Sequence, residues 1–272
     1  MDAVSSALHV AAGLGLEVID PQLLRSTNNT VIWLRPCPVV AKVAPERNNL
    51  LEWELVVASA LGRQEAPVVV PFEVAGPAVH RCGRWAVTFW PYHAQTGVSP
   101  DPVALGRALE RLHDSLDEAV RLESWSLPSW DRGPQDVIRR LGDEGYAPAL
   151  DADDRILLAQ VLDRSHEIAE MSACQRVLHG SPHGFNVLMV DGEPTFIDFE
   201  TVCYGPVEWD LCHLDHSVAR LYPPGCSVEA LGLARLVVSS MTSALCWEGV
   251  DRGEDMRFHA EHHLAVVRGT SG

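Results

Sequence analysis

The spacing of apolar positions changes near residue 93. Before that point short β-rich runs dominate: "TVIWLRP" from Thr30, "PVVAKVA" from Pro38, "APVVVPFEVA" from Ala66 and "RWAVTFWPY" from Arg84. Their β-branched and aromatic residues favour strands, and Pro36, Pro38 and Pro67 mark turns. One helical pattern interrupts them over residues 47–61, closed by Gly62. Another opens the chain, where "MDAVSSALHVAAGLGLEVID" reads as an amphipathic helix stopped by Gly13 and Gly15. Beyond residue 100 the apolar spacing becomes helical, in "VALGRALERLHDSL", "DADDRILLAQVLDRSHEIAEM", "PVEWDLCHLDHSVARLY" and "VEALGLARLVVSSMTSALCWEG". The expected architecture is α+β in two lobes, a β-rich amino-terminal one (residues 1–92) and a mainly helical carboxy-terminal one (residues 93–272).

One stretch breaks the helical half. In "HGSPHGFNVLMVDGEPTFIDFE", residues 179–200, the runs "NVLMV" and "PTFID" flank "DGE", and Asp-Gly between apolar runs is a strong hairpin signal. The two ends of a hairpin finish side by side, so Asn186 and Asp198 are predicted neighbours. An amide oxygen and a carboxylate are hard donors suited to magnesium, which keeps several waters and takes further ligands from a substrate's phosphates. Asn and Asp also cap strands and turns, so this pair gains meaning only from what surrounds it.

Composition sharpens one position. The chain has a single lysine, Lys42, against twenty arginines, which marks a place where a compact ammonium is needed and a planar guanidinium does not fit. In the helix that follows, Leu50, Val57 and Leu61 share a face, Glu54 falls within that stripe and Glu52 points the opposite way. A carboxylate aimed inward is costly unless paired, so Lys42 and Glu54 are expected to pair. A strand lysine fixed by a helix glutamate, with Asn and Asp nearby, suits a nucleoside triphosphate: lysine meets phosphate oxygens as a point charge and metal ions neutralise the rest. The segment "FWPYHA", residues 89–94, would connect the lobes and offer backbone groups to a base edge, with Trp90 and Tyr92 beside it.

The bulk numbers exclude several classes. A net charge of −16 argues against a nucleic-acid partner. No uninterrupted apolar run reaches membrane-spanning length, and no Lys or Arg precedes Arg25, so the amino terminus lacks the basic region of a secretory signal. Seven cysteines without a CxxC pair suit reduced thiols, and the expected location is cytoplasmic. His259, His262 and His263 in "HAEHH" have helical metal-ligand spacing without the HExxH order and read as a polar helix face.

Taken in order, "VVAKV" with Glu54, "LGRALERLHDSL", "LHGSPHGFNVL", "FIDFE" and "GPVEWDL" resemble the aminoglycoside phosphotransferase family, the small-molecule branch of the protein-kinase-like fold. The resemblance runs over residues 25–221. It implies that Lys42 contacts the α and β phosphates of ATP or GTP with Glu54 orienting it, and that Asn186 and Asp198 hold magnesium. It places "STNNTV" where a loop covers the phosphates; lacking glycine there, the chain would use backbone amides and the side chains of Ser26, Thr27 and Asn28. It gives Asp210 the task of bracing the catalytic loop. It also implies a small-molecule acceptor, cationic or sugar-like, received near "LHDSLDEAVRLESWSLPSWDRGPQD", where Asp114, Asp117, Glu118, Trp125, Trp130 and Asp131 stand.

The departure is Ser181. Members of that family read HGD where this chain reads HGS, and their aspartate receives or aligns the acceptor's proton. Ser181 cannot be a carboxylate base. It is left to hydrogen-bond the acceptor, while His183 either accepts the proton, since an imidazole titrates near neutrality, or has the structural part that a histidine there has in members that keep the aspartate. Two functions follow: a phosphotransferase that moves a γ-phosphoryl group to a hydroxyl of a small polar molecule, such as an aminoglycoside antibiotic, or a nucleotide-binding pseudokinase with little transfer activity.

Overall fold

The computed structural model describes residues 1–26, 29–46, 49–72, 78–95, 97–222, 225–249 and 253–269. In chain order its elements are α1 (Ala3–Gly13), β1 (Asp20–Ser26), β2 (Thr30–Arg35), β3 (Val39–Pro45), α2 (Leu50–Gly62), β4 (His80–Cys82), β5 (Trp85–Pro91) and α3 (Pro102–Glu123). Then follow α4 (Arg132–Leu141), α5 (Ala152–Asp163), α6 (Ser165–Met171), β6 (Gln175–Leu178), β7 (Val187–Val190), β8 (Glu193–Phe196) and β9 (Cys203–Pro206). The chain ends with α7 (Glu208–Leu211), α8 (His216–Leu221), α9 (Val228–Glu248) and α10 (Glu254–Gly269). The fold is α+β, as the pattern predicts.

Two compact units divide it: Met1–Trp125 with Gly184–Thr201, and Ser126–His183 with Val202–Gly272. This differs from a division at residue 93. The β7–β8 hairpin and α3 join the amino-terminal unit because the Phe196 N–H donates to the Pro67 carbonyl (2.8 Å), the Val69 N–H donates to Phe196 (3.1 Å), and α3 packs on α2 and β8.

The first unit is built on an antiparallel sheet in the order β1-β2-β3-β5-β4. Its core is Ile32 and Leu34 of β2, Val39, Ala41 and Val43 of β3, and Val87 and Phe89 of β5, covered by Ala3, Ala7 and Ala11 of α1. The alanine face lets that helix lie close to the sheet. Asp2 caps it by accepting from the Ser5 N–H, and the helix ends at Gly13. The hairpin has Asp191 and Gly192 both at positive φ, 51° and 86°, the two-residue turn whose twist matches the strands.

Three expectations are corrected. "APVVVPFEVA" forms no regular strand among its described residues; Pro67 and Pro71 lack an N–H, and only an isolated bridge links Val68 to Phe196. The helix expected from residue 47 begins at Leu50, which is exposed, and its buried stripe is Leu51, Glu54, Leu55, Val57, Ala58 and Leu61. "PVEWDLCHLDHSVARLY" breaks into α7 and α8, where Asp215 caps the second by accepting from the Ser217 N–H at 2.8 Å.

The second unit carries β6 paired antiparallel with β9, and seven helices among its described residues. Its central helix is α9, against which α4, α5, α6, α7 and α10 pack. By length and composition alone α9 would cross a membrane, yet half of its apolar window is buried inside the unit. Asp154 of α5 makes a two-pronged ion pair with Arg268 of α10 (2.6 and 2.8 Å). None of the seven cysteines forms a disulfide.

Candidate functional site

Lys42 lies mid-strand on β3, opposite Val31 of β2 and Thr88 of β5. Its Nζ donates to Glu54 of α2 at 2.8 Å, the pair expected from helix periodicity. Two further carboxylates share the ammonium: Asp198 at 3.0 Å and Glu200 at 2.7 Å. One oxygen from each of Glu54, Asp198 and Glu200 lies within 4.8 Å of the others. Burial opposes the Lys42 charge, but Glu54, Asp198 and Glu200 outweigh it and raise the ammonium above its usual range. Burial pushes Glu54 up to about 7 against the pull of Lys42, with the charges of Asp198 and Glu200 adding to the rise. A single cation among three carboxylates leaves surplus negative charge, an arrangement that favours a further cation.

The hairpin places the rest. Ile197 donates its N–H to the Asn186 carbonyl at 3.0 Å, extending the β7–β8 pairing one step, so Asn186 and Asp198 flank the open end as predicted. Asp198 has φ of 71°, a left-handed conformation that costs a non-glycine residue of order 1 kcal/mol and is tolerated where the surroundings fix it. Glu200 also accepts from Asn29 Nδ2 at 2.9 Å, tying the start of β2 to the same cluster.

Lys42, Glu54, Asn186, Ile197 and Asp198 line one cavity of about 430 Å³ within the first unit. Lys42, Glu54, Asn186 and Asp198 make its polar end, and Val31, Val40, Val69, Leu188 and Ile197 contribute apolar walls. Trp90, Pro91, Tyr92, His93 and Gln95 form another side. Tyr92 is fixed by stacking on Trp33, with ring centroids 3.7 Å apart, and the Trp90 Nε1–H donates to Thr88 Oγ1 at 3.0 Å. Apolar walls ending in a few convergent polar groups are the ordinary form of a small-molecule site. The oxygen donors at the polar end, amide and carboxylate, fit a magnesium ion.

Ser26 ends β1 opposite Thr30; the nearby residues that line the cavity are Leu24, Arg25 and Val31. Thr27 and Asn28 lie outside the described residues. Glu200, Arg25 and Gln95 were missed as site residues.

Ser181 and His183 belong to the second unit, in the loop after β6. There the buried Asp210 carboxylate accepts from the backbone N–H of His179 (2.8 Å) and of Gly180 (2.7 Å), the bracing task the resemblance implied. The Ser181 N–H donates to His179 Nδ1 at 3.3 Å. The rings of His183 and His213 lie 6.4 Å apart. Burial, helped by His183 and His179 and opposed by Asp210, holds His213 down at about 4.

Of the segment expected to receive an acceptor, Trp130 is core, packed on Trp209 and against Gly205. Trp125 meets Trp53 edge-on, Glu118 pairs with Arg121, and Asp131 accepts from Gln135.

The chain belongs to the phosphotransferase enzyme family, whose model matches residues 22–224. Among solved structures it is similar to a choline/ethanolamine kinase family protein from Mesorhizobium loti, with 17% identity, a TM-score of 0.70 and coverage of 99% of this chain and 94% of that one. It is also similar to APH(2")-IIia in complex with GDP and kanamycin (14%, 0.70, 99% of each chain). A third is the amicoumacin kinase hAmiN in complex with AMP-PNP, Ca2+ and Ami (11%, 0.68, 97% and 93%). No curated protein matches the sequence significantly.

Proposed function

We propose that this protein transfers the γ-phosphoryl group of ATP or GTP to a hydroxyl of a small polar molecule, cationic or sugar-like, of which an aminoglycoside antibiotic is one example. The observation that carries the reading is the single cavity in which Lys42, fixed by Glu54, shares a polar end with Asn186 and Asp198. In this reading Lys42 meets phosphate oxygens, Glu54 orients it, and the apolar walls take the base. Asn186 and Asp198 would hold magnesium, which when bound neutralises phosphate charge. The complexes of structural neighbours with AMP-PNP and Ca2+, and with GDP and kanamycin, support this choice of nucleotide, divalent ion and acceptor class.

A second reading rests on Ser181. Loss of a general base typically costs about 10² to 10⁴ in rate, while phosphoryl transfer depends mainly on positioning and charge. Without its usual aspartate the chain is then either a slow transferase, with His183 or the acceptor itself taking the proton, or a nucleotide-binding protein with little transfer. A screen of hydroxylated antibiotics and metabolites for nucleotide-dependent phosphorylation, repeated with Ser181→Asp, separates them. A transferase phosphorylates an acceptor as wild type and loses rate in Ser181→Asp. A decayed site is silent as wild type and gains at least about tenfold in the variant.

A further inference from the structure

The backbone after β5 carries a base preference, an inference that rests on the nucleotide-site reading above. In the β3–β5 ladder the Tyr92 N–H donates to Pro38 at 2.9 Å, and at the other end the Glu46 N–H donates to Arg84 at 2.8 Å. Both contacts join even-numbered partners, so even residues of β5 turn their N–H and C=O toward β3 and odd ones turn them away. The Phe89 carbonyl confirms the alternation by accepting from the Phe72 N–H (2.9 Å).

Pro91 keeps the outward parity and has no N–H, so it presents an acceptor alone. The Tyr92 N–H is taken by Pro38. The His93 N–H donates to no group among the described residues, but the His93 carbonyl is occupied: Gln95 Nε2 donates to it at 3.0 Å. Gln95 is held at its other end too, its Oε1 accepting from the Met189 N–H of β7 at 3.0 Å, and these two partners fix which way the amide points. Pro91, His93 and Gln95 all line the cavity.

The segment therefore offers an acceptor, the Pro91 oxygen, then a donor, the His93 N–H. The pairing edge of adenine supplies the complement, a 6-amino donor followed by the N1 acceptor. Guanine presents an O6 acceptor followed by an N1–H donor. In the same orientation guanine would set O6 against the Pro91 oxygen. Slid by one position, O6 could take the His93 N–H, but N1–H would then need the His93 carbonyl, where the Gln95 amide stands. We propose that the site selects adenine over guanine nucleotides, and that Gln95 is the positioning residue that enforces the choice by holding the His93 carbonyl.

The test is calorimetric titration of wild type with magnesium and ADP, GDP or IDP, repeated for Gln95→Ala. ADP is expected to bind at least about tenfold tighter than GDP, and IDP, which shares the guanine O6 and N1–H, to be disfavoured likewise. In Gln95→Ala the ADP-to-GDP ratio should narrow at least about threefold. A merely structural role would weaken both nucleotides alike, so an unchanged ratio overturns the assignment to Gln95. If Gln95→Ala fails to fold, Gln95→Met keeps the bulk and is read the same way. GDP binding as tightly as ADP to wild type overturns adenine selection while leaving the nucleotide site standing. Binding of neither nucleotide removes that site and this inference with it.

Discussion

Three carboxylates gather on the one lysine the chain possesses, so Lys42 is the group that makes the cluster tolerable. Removing it leaves Glu54 buried without its partner, and breaking such a pair costs about 3 kcal/mol or more. Lys42→Met is therefore expected to lose about 3 kcal/mol in urea denaturation at pH 8. The loss should shrink toward pH 5: the folded-state value for Glu54 already lies near 7, above its ordinary 4.5, so the folded state takes a proton more readily than the unfolded chain in that interval. His213 works in the opposite sense. Its imidazole titrates at about 4 when folded against 6.5 ordinarily, so its contribution to stability is complete above pH 6.5 and is lost as the pH falls toward 4. The shift corresponds to about 3 kcal/mol, and His213→Phe should flatten that part of the stability profile. The Lys42–Glu54 pair was legible because helix periodicity and a lone lysine point to each other. The share taken by Glu200 was not, because nothing local in "FIDFE" says which of its acids turns toward β3.

At the scale of elements, the β7–β8 hairpin was fully readable: Asp-Gly specifies a turn with two positive φ values, and the turn fixes which residues flank the open end. β1 was not. All seven of its residues are exposed, so no alternation marks it, and pairing with β2 alone makes it a strand. α4 was missed as well. The loop after β6 gives this scale its prediction. Asp210 accepts two backbone N–H bonds while fully buried; Asp210→Asn turns one acceptor into a donor facing a donor, an expected cost of about 2 kcal/mol. Hydrogen exchange should accelerate at the His179 and Gly180 amides, and unchanged protection there would contradict the bracing role.

For the whole molecule, membership of the phosphotransferase enzyme family agrees with what the order of the motifs implied. The partition into units was less legible, because a hairpin late in the sequence joins the first unit through hydrogen bonds to residues 67 and 69 that no local pattern announces. That distant return is also what makes the site, bringing Asn186 and Asp198 to the cavity that Lys42 lines. The central claim, that these groups grip one nucleotide, is tested most directly by calorimetry of AMP-PNP with magnesium on wild type and on Asp198→Ala. The account predicts saturable, magnesium-dependent binding by wild type and at least tenfold weaker binding by the variant, a difference of about 1.4 kcal/mol or more. Equal affinity for the two proteins, or no binding by wild type, would contradict it.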